Sequence, residues 1–205
     1  MTEQLYFIYG LAFFSLALAS LLEMRESGDL PLGRQLPWLA LFGFTHSAVE
    51  WCDMFLLGAS PGQFTDALLL VRTVLLPVSA VMLIRFGIGL MAEVGPLPSW
   101  TSFAQAVLFV PVMLLVAYAL VVITTETHPE RSADTWTRYL LFLPGGLMTA
   151  IGFARHWRIA PHRKTNTRYH WLLVASGAAL LYAIAAGLIV PEGPYGLAPW
   201  VNYDM

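Results

Sequence analysis

The sequence is poor in charged residues and in cysteine. Only 12% of its 205 residues are Asp, Glu, Lys or Arg, whereas about a quarter of a typical soluble domain is charged. Hydrophobic residues make up 58% of the chain, and its mean hydropathy is +0.65. Because Cys52 is the only cysteine, an internal disulfide and any CxxC metal or haem-attachment motif are excluded. This composition predicts an integral membrane protein.

The sequence also lacks the common catalytic motifs. It contains no GxSxG, HExxH, P-loop or GxGxxG pattern, and no phospho-acceptor, ATP-binding or cyclase signature. The net charge is −2, and no basic run is interleaved with aromatic residues, so we do not expect nucleic acid as a partner. We therefore expect no catalytic domain in this chain, and the sequence identifies no cofactor.

Long apolar runs are abundant. A membrane-spanning helix needs roughly 20 mostly apolar residues, and six windows meet this requirement: residues 5–22, 38–57, 67–91, 103–124, 139–157 and 171–190. The first window follows no basic n-region and is too long for a signal peptide, so we interpret it as a retained helix. The predicted fold is a single all-α domain over residues 1–205, a bundle of six transmembrane helices.

Lys and Arg are distributed unevenly between the connecting loops. Short cytoplasmic loops are enriched in these residues. They occur in or beside the first, third and fifth loops: Arg25, Arg34, Arg85, Arg155, Arg158, Arg163, Lys164 and Arg168. The fourth loop has only Arg131, with Arg138 beside it. We therefore expect the odd-numbered loops to be cytoplasmic and the N-terminus to face outward, in a multi-pass protein of the bacterial inner membrane.

A polar stripe interrupts the second apolar window, in the segment THSAVEWCDMF. His46, Glu50 and Asp53 are spaced i, i+4 and i+7, which places them on one face of a helix. Charged groups in a membrane helix usually face the bundle interior and pair. In an antiparallel hairpin with the third window, Arg72 reaches the depth of both carboxylates. We expect an Arg–carboxylate pair there, which would satisfy both sides, and a bidentate contact is one of its forms.

Three interpretations of this stripe are open. A buried ion pair can fix the register of two helices without binding anything. The same four residues, His46, Glu50, Asp53 and Arg72, can instead line a binding site for a ligand or ion. A metal site is the third interpretation, but one helix supplies only two or three ligands and no second His-rich helix exists.

Prolines and glycines within the windows favour kinks and close packing. Pro77, Pro111 and Pro144 each remove a backbone donor, and kinked helices often surround a cavity. Small residues allow two membrane helices to approach closely. We expect such contacts at Gly145–Gly146 and around Gly177.

Several segments together resemble one known type of protein. They are IYGLAFFSLALASLLEMRESGDLPLGRQLPWLALFGFTHSAVEWCDMF, RYLLFLPGGLMTAIGF and LYAIAAGLIVPEGPYGLAPWVN. They resemble the N-terminal membrane-embedded sensory module of bacterial sensor histidine kinases and related signalling proteins. The likeness is strongest in windows 1, 2, 5 and 6. It implies a seventh helix after the Asn-containing segment, followed by a cytoplasmic PAS or kinase transmitter beyond Met205.

The leading functional prediction is a sensory module that binds a small ligand or ion at His46, Glu50, Asp53 and Arg72. The alternative is a non-catalytic accessory or structural subunit of a larger membrane complex. A transporter or intramembrane enzyme ranks third, because no matching halves are detectable. Expected partners are membrane lipid, an unidentified small ligand, and either a second copy of the chain or other membrane subunits.

Overall fold

The computed structural model describes residues 2–27, 31–95, 129–159, 167–191 and 202–203. The chain divides into two compact units, Met1–Met82 and Leu83–Met205. The boundary between the units falls inside one long helix. The predicted span 103–124 lies outside the described residues.

The described elements are almost entirely helical. The first unit holds α1 (Thr2–Ser27), a 3₁₀ turn (Pro31–Arg34), α2 (Leu36–Leu57) and the first part of α3 (Gln63–Glu93). The second holds the end of α3, then α4 (Pro129–Thr137), a π-helical segment (Arg138–Phe142), α5 (Leu143–Ile159) and α6 (Thr167–Leu188). A two-residue parallel pairing, β1 (Val190–Pro191) with β2 (Asn202–Tyr203), follows α6. The all-helical prediction is confirmed for these residues.

Among the described residues, three helices are long and apolar enough to cross a membrane: Thr2–Arg25, Gln63–Glu93 and His170–Leu188. Helix α2 has 22 residues and carries the polar stripe, and it is not among these three. These three helices indicate a membrane protein, as the composition predicted. They do not show the predicted count of six spans or the outward-facing N-terminus, which stay predictions.

Small residues bring α1 and α2 together in the first unit. A side chain in place of Gly10 or Gly43 would collide with the opposite helix. At Gly10 its Cβ would overlap the Trp51 ring, and at Gly43 its Cβ would lie 2.7 Å from the Phe13 carbonyl oxygen. Ala17, opposite Gly43, is fully buried. Close helix contacts at small residues are typical of membrane helices, in which van der Waals packing holds helices together.

Hydroxyl side chains within these apolar helices bond to their own backbone. Ser15 donates to the Leu11 carbonyl, Thr45 to Leu41 and Thr73 to Leu69, each at 2.8 Å. A hydroxyl that bonds back to the preceding turn is satisfied without water. Such residues can therefore lie in a span without needing a partner on another helix.

In the second unit, α5 and α6 pack closely through glycine and alanine. A Cβ at Gly146 would lie 2.6 Å from the Ala183 Cβ, and one at Gly187 would lie 2.7 Å from the Leu143 Cβ. Gly177 itself has no described atom within 4 Å of the position of its added Cβ, but the neighbouring Ser176 donates to the Ala150 carbonyl of α5 at 2.8 Å. Further along α6, Ala183 and Gly187 approach the α5 backbone most closely among the described glycine contacts.

The π-helical segment ends at Phe142, two residues before Pro144. In it the Leu143 N–H bonds to the Arg138 carbonyl, five residues back. Proline has no N–H to continue the usual four-residue pattern, so the chain carries one wider turn where that donor is missing. Pro77 lies inside α3, and the helix continues through it.

Large apolar side chains are exposed along α1 and α6. Examples are Ile8 and Leu22 on α1, at 58% and 62% exposure, and Trp171 and Leu181 on α6, at 65% and 70%. Helices that are apolar on all sides are typical of membrane spans. This surface agrees with the membrane prediction.

Candidate functional site

Arg72 on α3 forms an ion pair with Asp53 on α2. Its Nε–H donates to Asp53 Oδ1 at 2.8 Å, and its Nη2 donates to Oδ2 at 3.5 Å. The Arg72 side chain is 5% exposed and that of Asp53 16%. The predicted Arg–carboxylate pair is therefore confirmed, and both carboxylate oxygens take part.

His46 lies deep in the first unit, between three helices. It is 5% exposed. The ring of Phe13 on α1 meets it edge-on at 4.4 Å, and the Phe42 ring stacks on it at 5.3 Å. Its Nδ1 lies 3.2 Å from the Ser79 hydroxyl oxygen on α3. The imidazole thus contacts apolar rings on its faces and a polar group at one nitrogen.

The second imidazole nitrogen points along α2 toward Glu50. His46 Nε2 lies 3.5 Å from Glu50 Oε1, and the Glu50 side chain is 16% exposed. The i, i+4 spacing read from the sequence therefore brings the two groups together. The four predicted residues form two adjacent contacts, His46 with Glu50 and Asp53 with Arg72, and we call this set the polar cluster.

Ser79 belongs to the same arrangement and was missed by sequence reasoning. It is fully buried and connects α3 to His46. Ser79 follows Arg72 by seven residues, just as Asp53 follows His46 by seven residues on α2. On two antiparallel helices, equal spacing places both cross-helix contacts on facing sides. This matched spacing is the sequence signal that identifies Ser79.

A second buried ion pair lies in the other unit. Arg138 Nε donates to Asp134 Oδ1 at 2.6 Å, and Arg138 Nη1 donates to the Ala186 carbonyl of α6 at 3.3 Å. The Asp134 side chain is fully buried. Sequence reasoning treated Arg138 only as a charge beside a loop, although its i, i+4 spacing from Asp134 indicated a pair.

His156 on α5 also contacts α3 within the second unit. Its Nε2 lies 3.1 Å from the Leu90 carbonyl oxygen and 3.8 Å from Glu93 Oε2. Since a carbonyl only accepts, Nε2 carries the hydrogen in the contact with Leu90. These groups hold helix ends together, and we assign them no ligand.

The described residues contain no group of three or more His, Cys, Asp or Glu side chains arranged to hold a metal ion. The polar cluster instead combines two carboxylates, one guanidinium and one imidazole. Such a set can bind and release protons, or pair with a small charged or hydrogen-bonding ligand.

Comparison of the chain with models of known families, with curated proteins and with solved structures gives no match.

Proposed function

We propose that this chain is the membrane-embedded sensory module of a bacterial signalling protein, and that the polar cluster binds a small ligand or ion. In this proposal the chain has six of seven spans and lies in the inner membrane with its N-terminus outside. It carries out no chemical reaction itself. The positions of Lys and Arg support this orientation, which places the cluster in the outer half of the bundle.

The observation that carries the proposal is the burial of His46 between α1, α2 and α3. Ionisable groups inside a membrane bundle are costly and usually mark functional sites. A purely structural pair would require only Asp53 and Arg72. His46 and Glu50 add a second polar contact directly beside that pair.

A ligand bound at this position can directly change how α2 and α3 pack. The cluster bonds α2 to α3 at two points, through Asp53 with Arg72 and through His46 with Ser79. A ligand that bonds to Glu50 or Arg72 in only one arrangement of these helices shifts the equilibrium toward that arrangement.

Thermal unfolding of the chain in lipid nanodiscs tests the proposal. The probes are sodium chloride, potassium chloride and a short-chain ubiquinone, each titrated separately. A ligand that binds the native state raises the unfolding midpoint as its concentration rises. We expect at least one probe to stabilise the wild type, and this effect to be lost in Glu50→Gln and Arg72→Leu.

Asp66→Asn is the matched control. It removes a carboxylate from the first turn of α3, where the side chain is exposed and outside the cluster. Stabilisation should be kept in this variant. Equal stabilisation of folded Glu50→Gln, Arg72→Leu and wild-type protein would contradict the assignment of the site.

A non-catalytic subunit of a larger membrane complex is the second candidate. The exposed apolar side chains of α1 and α6 favour it, because the same surface can pack against other membrane polypeptides. Copurification at fixed stoichiometry with other membrane proteins, together with no response to any probe, would favour this candidate over a sensory module.

A further inference from the structure

The hydrogen bonds of Ser79 determine which nitrogen of His46 carries a hydrogen. The Ser79 hydroxyl has a single proton, and its oxygen lies 2.7 Å from the Leu76 carbonyl oxygen. Two oxygens at this distance repel each other unless a proton lies between them, so the Ser79 hydroxyl donates its proton to the Leu76 carbonyl. Ser79 can then only accept from His46, whose Nδ1 lies 3.2 Å away. His46 Nδ1 therefore carries a hydrogen.

This assignment has a consequence at the other nitrogen. A neutral imidazole with a hydrogen on Nδ1 has a lone pair on Nε2. His46 Nε2 lies 3.5 Å from Glu50 Oε1. An ionised carboxylate also presents only lone pairs, so the two atoms repel each other. One more proton between Nε2 and Oε1 converts this repulsion into a hydrogen bond. The proton either makes His46 an imidazolium or makes Glu50 a carboxylic acid.

Charge within the cluster leads to the same result. Asp53 and Arg72 neutralise each other, and the His46–Glu50 pair is neutral only when it holds this additional proton. On the helices packed against the pair, α1 presents the uncharged ring of Phe13 and α3 presents the hydroxyl of Ser79. Charged groups beside the pair include Asp53, one turn further along α2, and Arg72, which is bonded to Asp53. The carboxylates of Glu50 and Asp53 together outnumber the guanidinium of Arg72 by one, so these groups sum to zero charge when the pair holds the additional proton. Without the proton, a net negative charge would be buried among apolar helices, which is costly.

We propose that the His46–Glu50 pair binds one exchangeable proton, and that gain or loss of this proton is a signal that the module detects in addition to any other ligand of the cluster. The identification of the proton as the signal rests on the proposed sensory function. The proton-binding site itself rests only on the contacts of His46, Glu50 and Ser79. Gain and loss of this proton change the charge of the pair, whose imidazole is bonded to α3 through Ser79.

Nitrogen NMR of the ¹⁵N-histidine-labelled chain in nanodiscs tests the inference. The His46 signals are identified as those lost in His46→Asn. At neutral pH we expect Nδ1 to be protonated, and Nε2 to be either protonated or accepting a hydrogen bond. As the pH is raised, Nε2 should change while Nδ1 stays protonated, and this step should be absent at the same pH in Glu50→Gln.

Two serine variants distinguish the loss of the His46–Ser79 hydrogen bond from a general change in packing. Ser79→Ala removes the acceptor of the Nδ1 hydrogen, so we expect loss of the Nδ1-protonated form. Ser47→Ala is the control, because Ser47 is equally buried but donates to the Phe44 carbonyl of its own helix, at 2.8 Å. It should leave the His46 signals unchanged.

A bare Nδ1 with a hydrogen on Nε2 in the wild-type protein would overturn the inference. So would an Nε2 signal that responds to pH identically in folded Glu50→Gln. Neither result affects the probe titrations that test the sensory function, so the two proposals can fail independently. If the titrations reveal no stabilising probe while the proton step is present, the proton-binding site stands on its own.

Discussion

Asp53 and Arg72 lie in an environment where either charge alone is unfavourable. Arg72 is almost completely shielded from solvent, and both oxygens of Asp53 accept its N–H groups. Burying two ions costs desolvation free energy, and their mutual attraction mainly offsets that cost. The stability of the native state should therefore depend on the balance between the two charges more than on the presence of the pair.

This view predicts different effects for single and double substitutions. Arg72→Leu leaves the Asp53 carboxylate without this cation, and we expect it to lower the free energy of unfolding by about 3–5 kcal/mol. Adding Asp53→Asn should restore most of that loss, since neither member of this pair is then charged. Reversible unfolding in mixed micelles measures both values. A double variant as unstable as Arg72→Leu would show that the two side chains stabilise the protein through shape.

The Asp53–Arg72 contact could be predicted from the sequence, whereas the His46–Ser79 contact was not. A charged residue in an apolar helix is costly unless it is paired, so only a few arrangements of that residue are acceptable. A serine hydroxyl carries no such signal, because it can bond to its own helix, as Ser15 does. Ser79 does this too, and it still accepts from His46. Only a comparison of spacings on two helices reveals that role.

At the scale of elements, glycine positions determine how closely α5 and α6 approach. Gly146 lies against Ala183, and Gly187 lies against Leu143 at the start of α5. The backbone of Ala183 and that of Leu143 are each within 3.0 Å of the added Cβ. Side chains there cannot be accommodated by turning a flexible neighbour. The helices themselves would have to separate.

Valine substitutions should therefore separate packing glycines from surface glycines. Gly146→Val and Gly187→Val should each lower the free energy of unfolding by about 1–3 kcal/mol, because an overpacked contact shifts the backbone. Gly177→Val is the matched control on α6, since no described atom lies within 4 Å of its added Cβ. The same unfolding measurement serves all three. A loss in Gly177→Val equal to that in Gly146→Val would contradict this assignment of the contact.

The apolar windows located the long described helices but not their ends, and none of them covered the short helix α4 at Pro129–Thr137. Window 5–22 corresponds to α1 at Thr2–Ser27, and window 67–91 to α3 at Gln63–Glu93. Hydropathy marks the apolar part of a helix, whereas the backbone bonds continue into polar flanks until the chain is interrupted. At the end of α3 the interruption comes at Gly95, whose φ of +148° is rarely adopted by other residues. The π-helical turn before Pro144 was missed, because a proline predicts an irregularity without specifying its form.

At the scale of the whole molecule, Lys and Arg are distributed unevenly between the loops, and the lengths and hydropathies of the helices do not reveal this. Five of its Lys and Arg residues lie between residues 155 and 168. Positive residues in short loops are retained on the cytoplasmic side during insertion. Helix length and hydropathy are the same for either orientation of a span, so these residues alone decide which end of α2 faces outward.

Cysteine labelling in intact cells tests this orientation. In a Cys52→Ser background, which removes the one buried native thiol, Thr2→Cys and His162→Cys each introduce a single reactive group. A membrane-impermeant maleimide should label Thr2→Cys in intact spheroplasts, and should label His162→Cys only after the membrane is permeabilised. The reverse pattern would place Asp53 and Glu50 in the inner half of the bundle. The proton bound by His46 and Glu50 would then come from the cytoplasm, and the cluster would respond to internal rather than external pH.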